Sequence, residues 1–249
     1  TDTGRKKLVC TLSVHDLHHR FGRQPEVLRG ITVALEPATM TAIMGPSGSG
    51  KSTLLNCMSG LYAPTGGRVR YRGADLSELN RRQLERLRRS AWGFIFQDYN
   101  LIEALTAGEN VKLPALFAGR RMPDEVAAEA LSQVGLDGLE RRYPDELSGG
   151  QRQRVAIARA LATPREVVFA DEPTGALDSE ARRDVMATLG SLPQRGSTVV
   201  LVTHDPTVAA DASRVLFLYD GQMVGDDQGL SSREISARLV DLESRSGTP

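Results

Sequence analysis

The sequence predicts an α/β fold built on a parallel sheet, with antiparallel strands ahead of that sheet and a block of helices inserted into it. Three stretches carry the expectation. The apolar "MTAIM" of residues 40–44 runs straight into the glycine-rich "GPSGSGKST". "EVVFADE", "SEARRDVMATLGSL" and "STVVLVTHD" alternate between 166 and 205. Helical patterning dominates from about 100 to 160. Strand, helix and strand in succession read as parallel pairing, because parallel neighbours need a long crossover and a helix supplies it.

The glycine-rich stretch sets the chemistry. The pattern G-x-x-x-x-G-K-[ST] fits from Gly45 to Ser52, after a strand and before a helix, which is the context a phosphate-binding loop requires. Gly45, Gly48 and Gly50 suit a backbone that enters unusual φ/ψ or lets a ligand approach closely. Pro46, Ser47 and Ser49 complete the loop, and Ser52-Thr53-Leu54-Leu55 reads as a helix opening. Successive backbone N–H groups and the positive end of the helix favour an anion there. Lys51 is placed to reach the outermost phosphate and Ser52 to hold Mg²⁺ through its hydroxyl.

Around this loop the elements follow in order. Residues 8–35 alternate apolar and polar positions about the turn-rich "GRQPE", which predicts antiparallel strands, and "GRVRYRG" at 67–73 adds another. Leu76, Leu79, Leu84 and Leu87 near helical spacing predict a helix over 76–90, with arginines at 81, 82, 86, 88 and 89 on its solvated face. No aromatic platform accompanies those arginines, so they do not read as an RNA-binding helix. "PDEVAAEALSQVG" starts a helix at Pro123 and Asp124 and stops it near Gly135; "SGGQRQRVAIARALA" starts another on a serine cap. Ser231 and Glu234 have capping-box spacing ahead of Ile235, Leu239 and Leu242, a short amphipathic helix.

Composition narrows the function classes. The 249 residues carry no formal net charge, with a pI near 6.9, so no bulk attraction for nucleic acid or acidic partners is expected. No window approaches the ~18 consecutive apolar residues of a spanning helix, and "TDTGRKKLV" lacks a signal peptide's hydrophobic stretch, so the chain is expected in the cytosol. Cys10 and Cys57 show no paired-cysteine motif and are expected to be free thiols. His15, His18 and His19 lie on a predicted strand that alternates its faces, with no cysteine or carboxylate cluster to join them, which argues against a metal site.

A second half of the site follows. Asp171 and Glu172 end a buried strand, the edge at which open α/β sheets bind ligands. Asp171 is suited to steady a Mg²⁺ shell and Glu172 to polarise a water for attack on a γ-phosphate. "LSGGQRQR", Leu147 to Arg154, then supplies another glycine pair before a helix, a further anion-binding geometry that one phosphate chain does not need.

With the loop and the acidic strand end, that stretch resembles the nucleotide-binding domain of ATP-binding cassette (ABC) transporters, over about residues 8–225 and with the motifs in the family's order. The resemblance implies a RecA-like P-loop core with an N-terminal antiparallel β subdomain and an inserted α-helical subdomain. It divides the chain into a cassette at 8–230 (core with β subdomain at 8–95 and 160–225, helical insertion at 96–159) and a C-terminal helix and tail at 231–249. It implies ATP and Mg²⁺ as ligands and a homodimer sandwiching two ATP, in which Ser148, Gly149, Gly150 and Gln151 of one subunit cap the γ-phosphate on the other's loop. It assigns Phe21 to stacking on adenine, Gln97 to sensing Mg²⁺ and a membrane partner, Asp178 to contact across the dimer, and His204 to a γ-phosphate switch. Phe21 replaces the usual tyrosine, keeping the π-face without the hydroxyl.

"LTAGENVKLPALFAG" and "DEPTGALD" resemble the branch of lipoprotein-releasing, macrolide-efflux and cell-division ATPases, with Ala176 where asparagine is usual; peptide-sensing and amino-acid-import ATPases share parts of these marks. The resemblance thus implies an integral membrane permease subunit as partner, no nucleic acid, and a peripheral place on the cytoplasmic face of the membrane. Import and antimicrobial-peptide resistance stay open beside export, and the cargo is not encoded in the chain. A soluble cassette acting on ribosomes or DNA would show tandem cassettes or a coiled-coil insertion.

Overall fold

A computed structural model describes residues 11–246; the readings that concern residues 8–10, Cys10 among them, and the last three residues lie outside it. In chain order the elements are β1 (Leu12–Arg20), β2 (Glu26–Leu35), β3 (Met40–Met44), α1 (Lys51–Met58), β4 (Gly66–Tyr71), β5 (Ala74–Asp75), α2 (Arg81–Ala91), β6 (Trp92–Ile95), α3 (Ala107–Phe117), α4 (Asp124–Ser132), α5 (Gly149–Leu161), β7 (Val167–Asp171), α6 (Ser179–Ser191), β8 (Thr198–Val202), α7 (Pro206–Ala209), β9 (Arg214–Tyr219), β10 (Gln222–Gln228) and α8 (Ser232–Ser246).

Two sheets result. One is antiparallel, in the order β2-β1-β4-β5; the other runs β10-β9-β3-β8-β7-β6, parallel except for the β9–β10 hairpin. β3 and β8 are buried at every position, as befits strands covered on both faces. Their residues divide by the two-residue period: Met40, Ala42, Met44, Val199 and Leu201 face one apolar cluster, and Ile43, Val200 and Val202 face the other. The first cluster is closed by α3–α8 side chains, the second by α1 and the antiparallel sheet. β3, β7 and β8 therefore end together, and the loops that leave them form the site.

The structure shifts some expected elements. The helix expected over 76–90 starts at Arg81: Asp75 caps one 3₁₀ turn at Leu76–Glu78, and a reciprocal Asn80–Gln83 capping box begins α2. The leucines still pack inward as expected. Two of the arginines act as staples, Arg88 on Gly60 O and Arg89 on Phe117 O. The strand β6 and the β9–β10 hairpin were not read from the sequence. Cys57 is a free buried thiol whose pKa burial pushes up to about 12. Ser231 and Glu234 form the anticipated capping box, and Ile235 and Leu242 are buried.

Candidate active site

The phosphate-loop segment owes its course to glycine. Gly45, Gly48 and Gly50 all have positive φ, 151°, 78° and 99°. A Cβ on Gly45 would lie 2.0 Å from Leu218 O, on β9, so the chain leaves β3 pressed against its neighbour's backbone. The turn between β9 and β10 fastens the loop from below: Gly221 N donates to Ser49 O at 3.1 Å while Arg29 N, on β2, donates to Gly221 O at 2.8 Å. Gly50 caps α1 without any side-chain acceptor, which leaves the first N–H groups of the helix to a ligand.

Lys51, half-buried, donates through Nζ to Gly45 O at 2.9 Å and Pro46 O at 2.7 Å, which leaves one ammonium hydrogen for an anion. Burial pulls its pKa down, against the opposing pull of Glu172 and Asp171. Asp171 shows the complementary effect: burial raises its pKa, and the Ser52 hydrogen bond and the Lys51 charge only partly offset this. Both groups are held where their charged forms lack water, so each gains from a multivalent guest carrying both signs, such as a phosphate chain with a cation. Ser52 Oγ donates to Asp171 Oδ1 at 3.1 Å, which sets two oxygens side by side across 119 residues of sequence. One hydroxyl and one carboxylate, with phosphate oxygens to complete the shell, suit Mg²⁺, which takes few protein ligands.

Glu172 has φ 48°, a left-handed conformation costing a non-glycine residue about 1–3 kcal/mol. The neighbouring strand helps hold it there, Glu172 N donating to Val202 O at 2.9 Å, against the extended preference that the following Pro173 imposes. The turn brings Glu172 Oε1 to 3.0 Å from His204 Nδ1, while Oε2 is buried without a hydrogen-bond partner. His204 itself is exposed.

The loop glycines with Ser47 and Thr53, Lys51, Ser52, Glu172 and His204 line one cleft of about 950 Å³, together with Gln97, which is exposed just beyond β6. Asp171 stands behind Ser52, to which it is hydrogen-bonded, and is not part of the lining. The other anticipated residues stand outside its lining. Phe21 is exposed in an aromatic cluster, edge-on to His19 (centroids 4.7 Å apart) and Tyr62 (5.5 Å). Ser148 caps α5 in a reciprocal box with Gln151, and the N–H groups of Gly149 and Gly150 at the helix start remain open. A Cβ on Gly150 would meet Ala176 O at 3.2 Å, so the segment after Glu172 and the start of α5 lie side by side with little room to spare. Asp178 caps α6, accepting from Glu180 N and Ala181 N, and those bonds lower its pKa. His18 pairs with Glu26 and Asp16, which raise its pKa.

Three residues of this region escaped the sequence reading. Tyr99 and Gln153 line the cleft, Gln153 nearly fully buried with its Nε2 unpaired. Asn110, fully buried in "ENV", accepts from Ile102 N and donates to the carbonyls of Ile102, Leu105 and Thr106, shaping the run between Gln97 and α3. Its place in a quoted motif was the available signal; its partners were not.

An anion cradle, an oxygen pair suited to a cation and a carboxylate–imidazole pair gathered at one sheet edge have the make-up of a nucleoside triphosphatase site, and the glycine-led α5 beside it narrows the class. The chain belongs to the ABC transporter family, whose model matches residues 28–175, and it has the fold of that family's ATP-hydrolysing cassette. It is 46% identical over 222 residues to the macrolide export ATP-binding/permease protein MacB of Mannheimia succiniciproducens, covering 87% of this chain and 34% of that protein. The pyoverdine export ATP-binding/permease protein PvdT of Pseudomonas entomophila is 50% identical over 204 residues, covering 81% and 31% respectively. The chain thus spans about a third of the length of these curated relatives. Among solved structures it resembles the ATP-binding cassette MJ0796 in a dimeric post-hydrolysis state bound to ADP and Pi, with TM-score 0.83 and 37% identity, covering 88% of this chain and 99% of that one.

Proposed function

We propose that the chain binds ATP and Mg²⁺ in the cleft, pairs with a second copy around two ATP molecules, and hydrolyses them to drive an export permease of the macrolide-efflux type. The observation that carries this reading is the convergence of Lys51, the Ser52–Asp171 pair and the Glu172–His204 pair at one edge of the parallel sheet.

In this reading the N–H groups of residues 45–53 and the Lys51 ammonium bind the β- and γ-phosphates, and adenine stacks on Phe21. Ser52, Asp171 and Gln97 hold Mg²⁺, which neutralises phosphate charge when bound. Glu172 accepts the proton of the attacking water through its free oxygen, while His204, bonded to the other oxygen, orients the carboxylate and faces the γ-phosphate. The water oxygen bonds to the γ-phosphorus as the bond to the bridging oxygen breaks, giving ADP and phosphate. Ser148, Gly149, Gly150 and Gln151 serve the nucleotide of the second copy, in keeping with their place outside their own cleft, and Asp178 approaches the same interface. Residues 8–95 with 160–225 act as the core and 96–159 as the inserted helical unit, with 231–249 appended. The export names of the relatives favour an integral permease as partner at the cytoplasmic face of the membrane.

The test is ATP-driven pairing. Glu172→Gln blocks hydrolysis and should accumulate a dimer with ATP and Mg²⁺ by light scattering. Adding Gly149→Asp should abolish that dimer while leaving ATP affinity within a few-fold, because a carboxylate facing phosphate in a partly desolvated interface costs several kcal/mol. Should the double variant pair as well as its parent, α5 does not face the second nucleotide.

A further inference from the structure

The segment that carries Gln97 is bent against the preference of its own residues. Tyr99 and Asn100 are consecutive and both left-handed, with φ of 59° and 50°. Asn tolerates that region better than most residues and Tyr does not, so two in succession need an external hold. Arg159, on the far half of α5, supplies one: its guanidinium donates through Nη2 to Tyr99 O at 2.7 Å and through Nη1 to Asn100 O at 2.5 Å. Burial pulls the pKa of this guanidinium down, with no opposing contribution from a carboxylate, and the described residues include no ion pair to it. Its fork is committed to two successive carbonyls, a planar geometry lysine cannot copy. Arg152 of the same helix lies 5.8 Å from the centre of the Tyr99 ring. Downstream, Asn110 fixes residues 102–106 to α3. The loop therefore has one anchor on α3 and one on α5, with Gln97 between these and β6.

We propose that Arg159 is a positioning residue that keeps Gln97 in the nucleotide cleft by holding the left-handed Tyr99–Asn100 pair, tying the Mg²⁺ response of one site to the helix whose start caps the other. The inference rests on the reading of Gln97 given above. Without the fork, the pair relaxes to right-handed or extended φ, and the chain two residues upstream swings Gln97 out of the cleft that it lines together with Ser52.

The test is a double-mutant cycle on the full chain with two readouts: the Mg²⁺ dependence of ATP hydrolysis, and amide hydrogen exchange across residues 96–101. Arg159→Met should raise the Mg²⁺ concentration for half-maximal hydrolysis about tenfold, the scale of losing charge-assisted hydrogen bonds, and speed exchange in the loop but not along α5. Arg159→Lys, which keeps the charge without the fork, should fall between the two and serves if the methionine variant folds poorly. In a Gln97→Ala background, Arg159→Met should change the Mg²⁺ requirement by less than about twofold, because both act through one group. Independent, multiplying effects, or unchanged loop exchange, overturn the inference. A silent Gln97→Ala instead overturns the reading of Gln97, and the exchange measurement then still decides whether Arg159 holds the loop.

Discussion

Gly45→Ala tests whether the strand beside the phosphate loop dictates its course. The added Cβ would sit 2.0 Å from Leu218 O and 2.9 Å from Ser49 Oγ. Leu218 belongs to β9, which pairs with β3 in a register that sets Met44 against Phe217, so the obstacle is backbone inside a sheet. Carbon–oxygen contacts settle at roughly 3.3 Å, and either the loop or β9 must give by more than about 1 Å. Overpacking costs about 1–3 kcal/mol, and the φ of 151° adds about 1–3 kcal/mol for a residue with a side chain. The sum of about 2–6 kcal/mol, at about 2–4 °C per kcal/mol for a chain of this size, lowers Tm by roughly 5–20 °C. A displacement of that size in a binding loop also costs on the order of a hundredfold in function. Calorimetric melting without nucleotide and titration with ATP read the two effects separately. A Tm within about 2 °C of the parent together with an unchanged ATP Kd would refute the argument, since the normal scatter of a conservative surface change is all that remains.

Further outcomes are expected. Glu172→Gln should keep ATP binding and lower phosphate release by about 10²–10⁴; because one carboxylate oxygen is already unpaired in the interior, melting without nucleotide should not fall, and release above a tenth of the parent rate counts against Glu172 as the base. Asp171, whose pKa burial raises, contributes stability that is present at low pH and lost as pH rises through its folded value. Asp171→Asn should therefore melt higher than the parent at neutral pH, converge with it below about pH 4, and fail to hydrolyse ATP; a gap that widens in acid refutes this sign. Phe21→Ala removes an exposed ring and should weaken ATP binding by about tenfold or more with little loss of Tm, measured by fluorescent-nucleotide competition. Unchanged affinity would leave the ring to its cluster with His19 and Tyr62.

Legibility in the sequence followed locality. The loop from Gly45 to Ser52, the capping box at Ser148 and Gln151, and the acidic end of β7 are encoded within a few residues of one another, and each sits where the spacing put it. The start of α2 was misplaced because the leucine period continues through Leu76 and Leu79, whereas the Asn80–Gln83 box decides where hydrogen bonding begins. β6 was overlooked because its four residues "WGFI" are too short to show a period; only pairing with β7 makes them a strand. Pairing likewise defines β9, a plain apolar run that could equally be helix. At the site, Ser52 meeting Asp171 is foreseeable from the motif chemistry, whereas the left-handed Glu172 and the fork of Arg159 on Tyr99 depend on contacts 30 residues or more away and leave no local trace.

The half-buried ammonium of the phosphate loop also makes the chain a reporter of its own occupancy. The sequence has only four lysines, Lys6, Lys7, Lys51 and Lys112. Lys112 is paired with Asp124, and Lys51 has its pKa drawn down by burial. An amine-reactive label acts on the neutral form, and Lys51 supplies more of that form at a given pH than an ordinary lysine does. Phosphate oxygens in the loop favour its charged form and cover it. Peptide mapping after brief acylation thus converts a question about nucleotide occupancy into the yield of one modified peptide, readable in mixtures where hydrolysis cannot be followed.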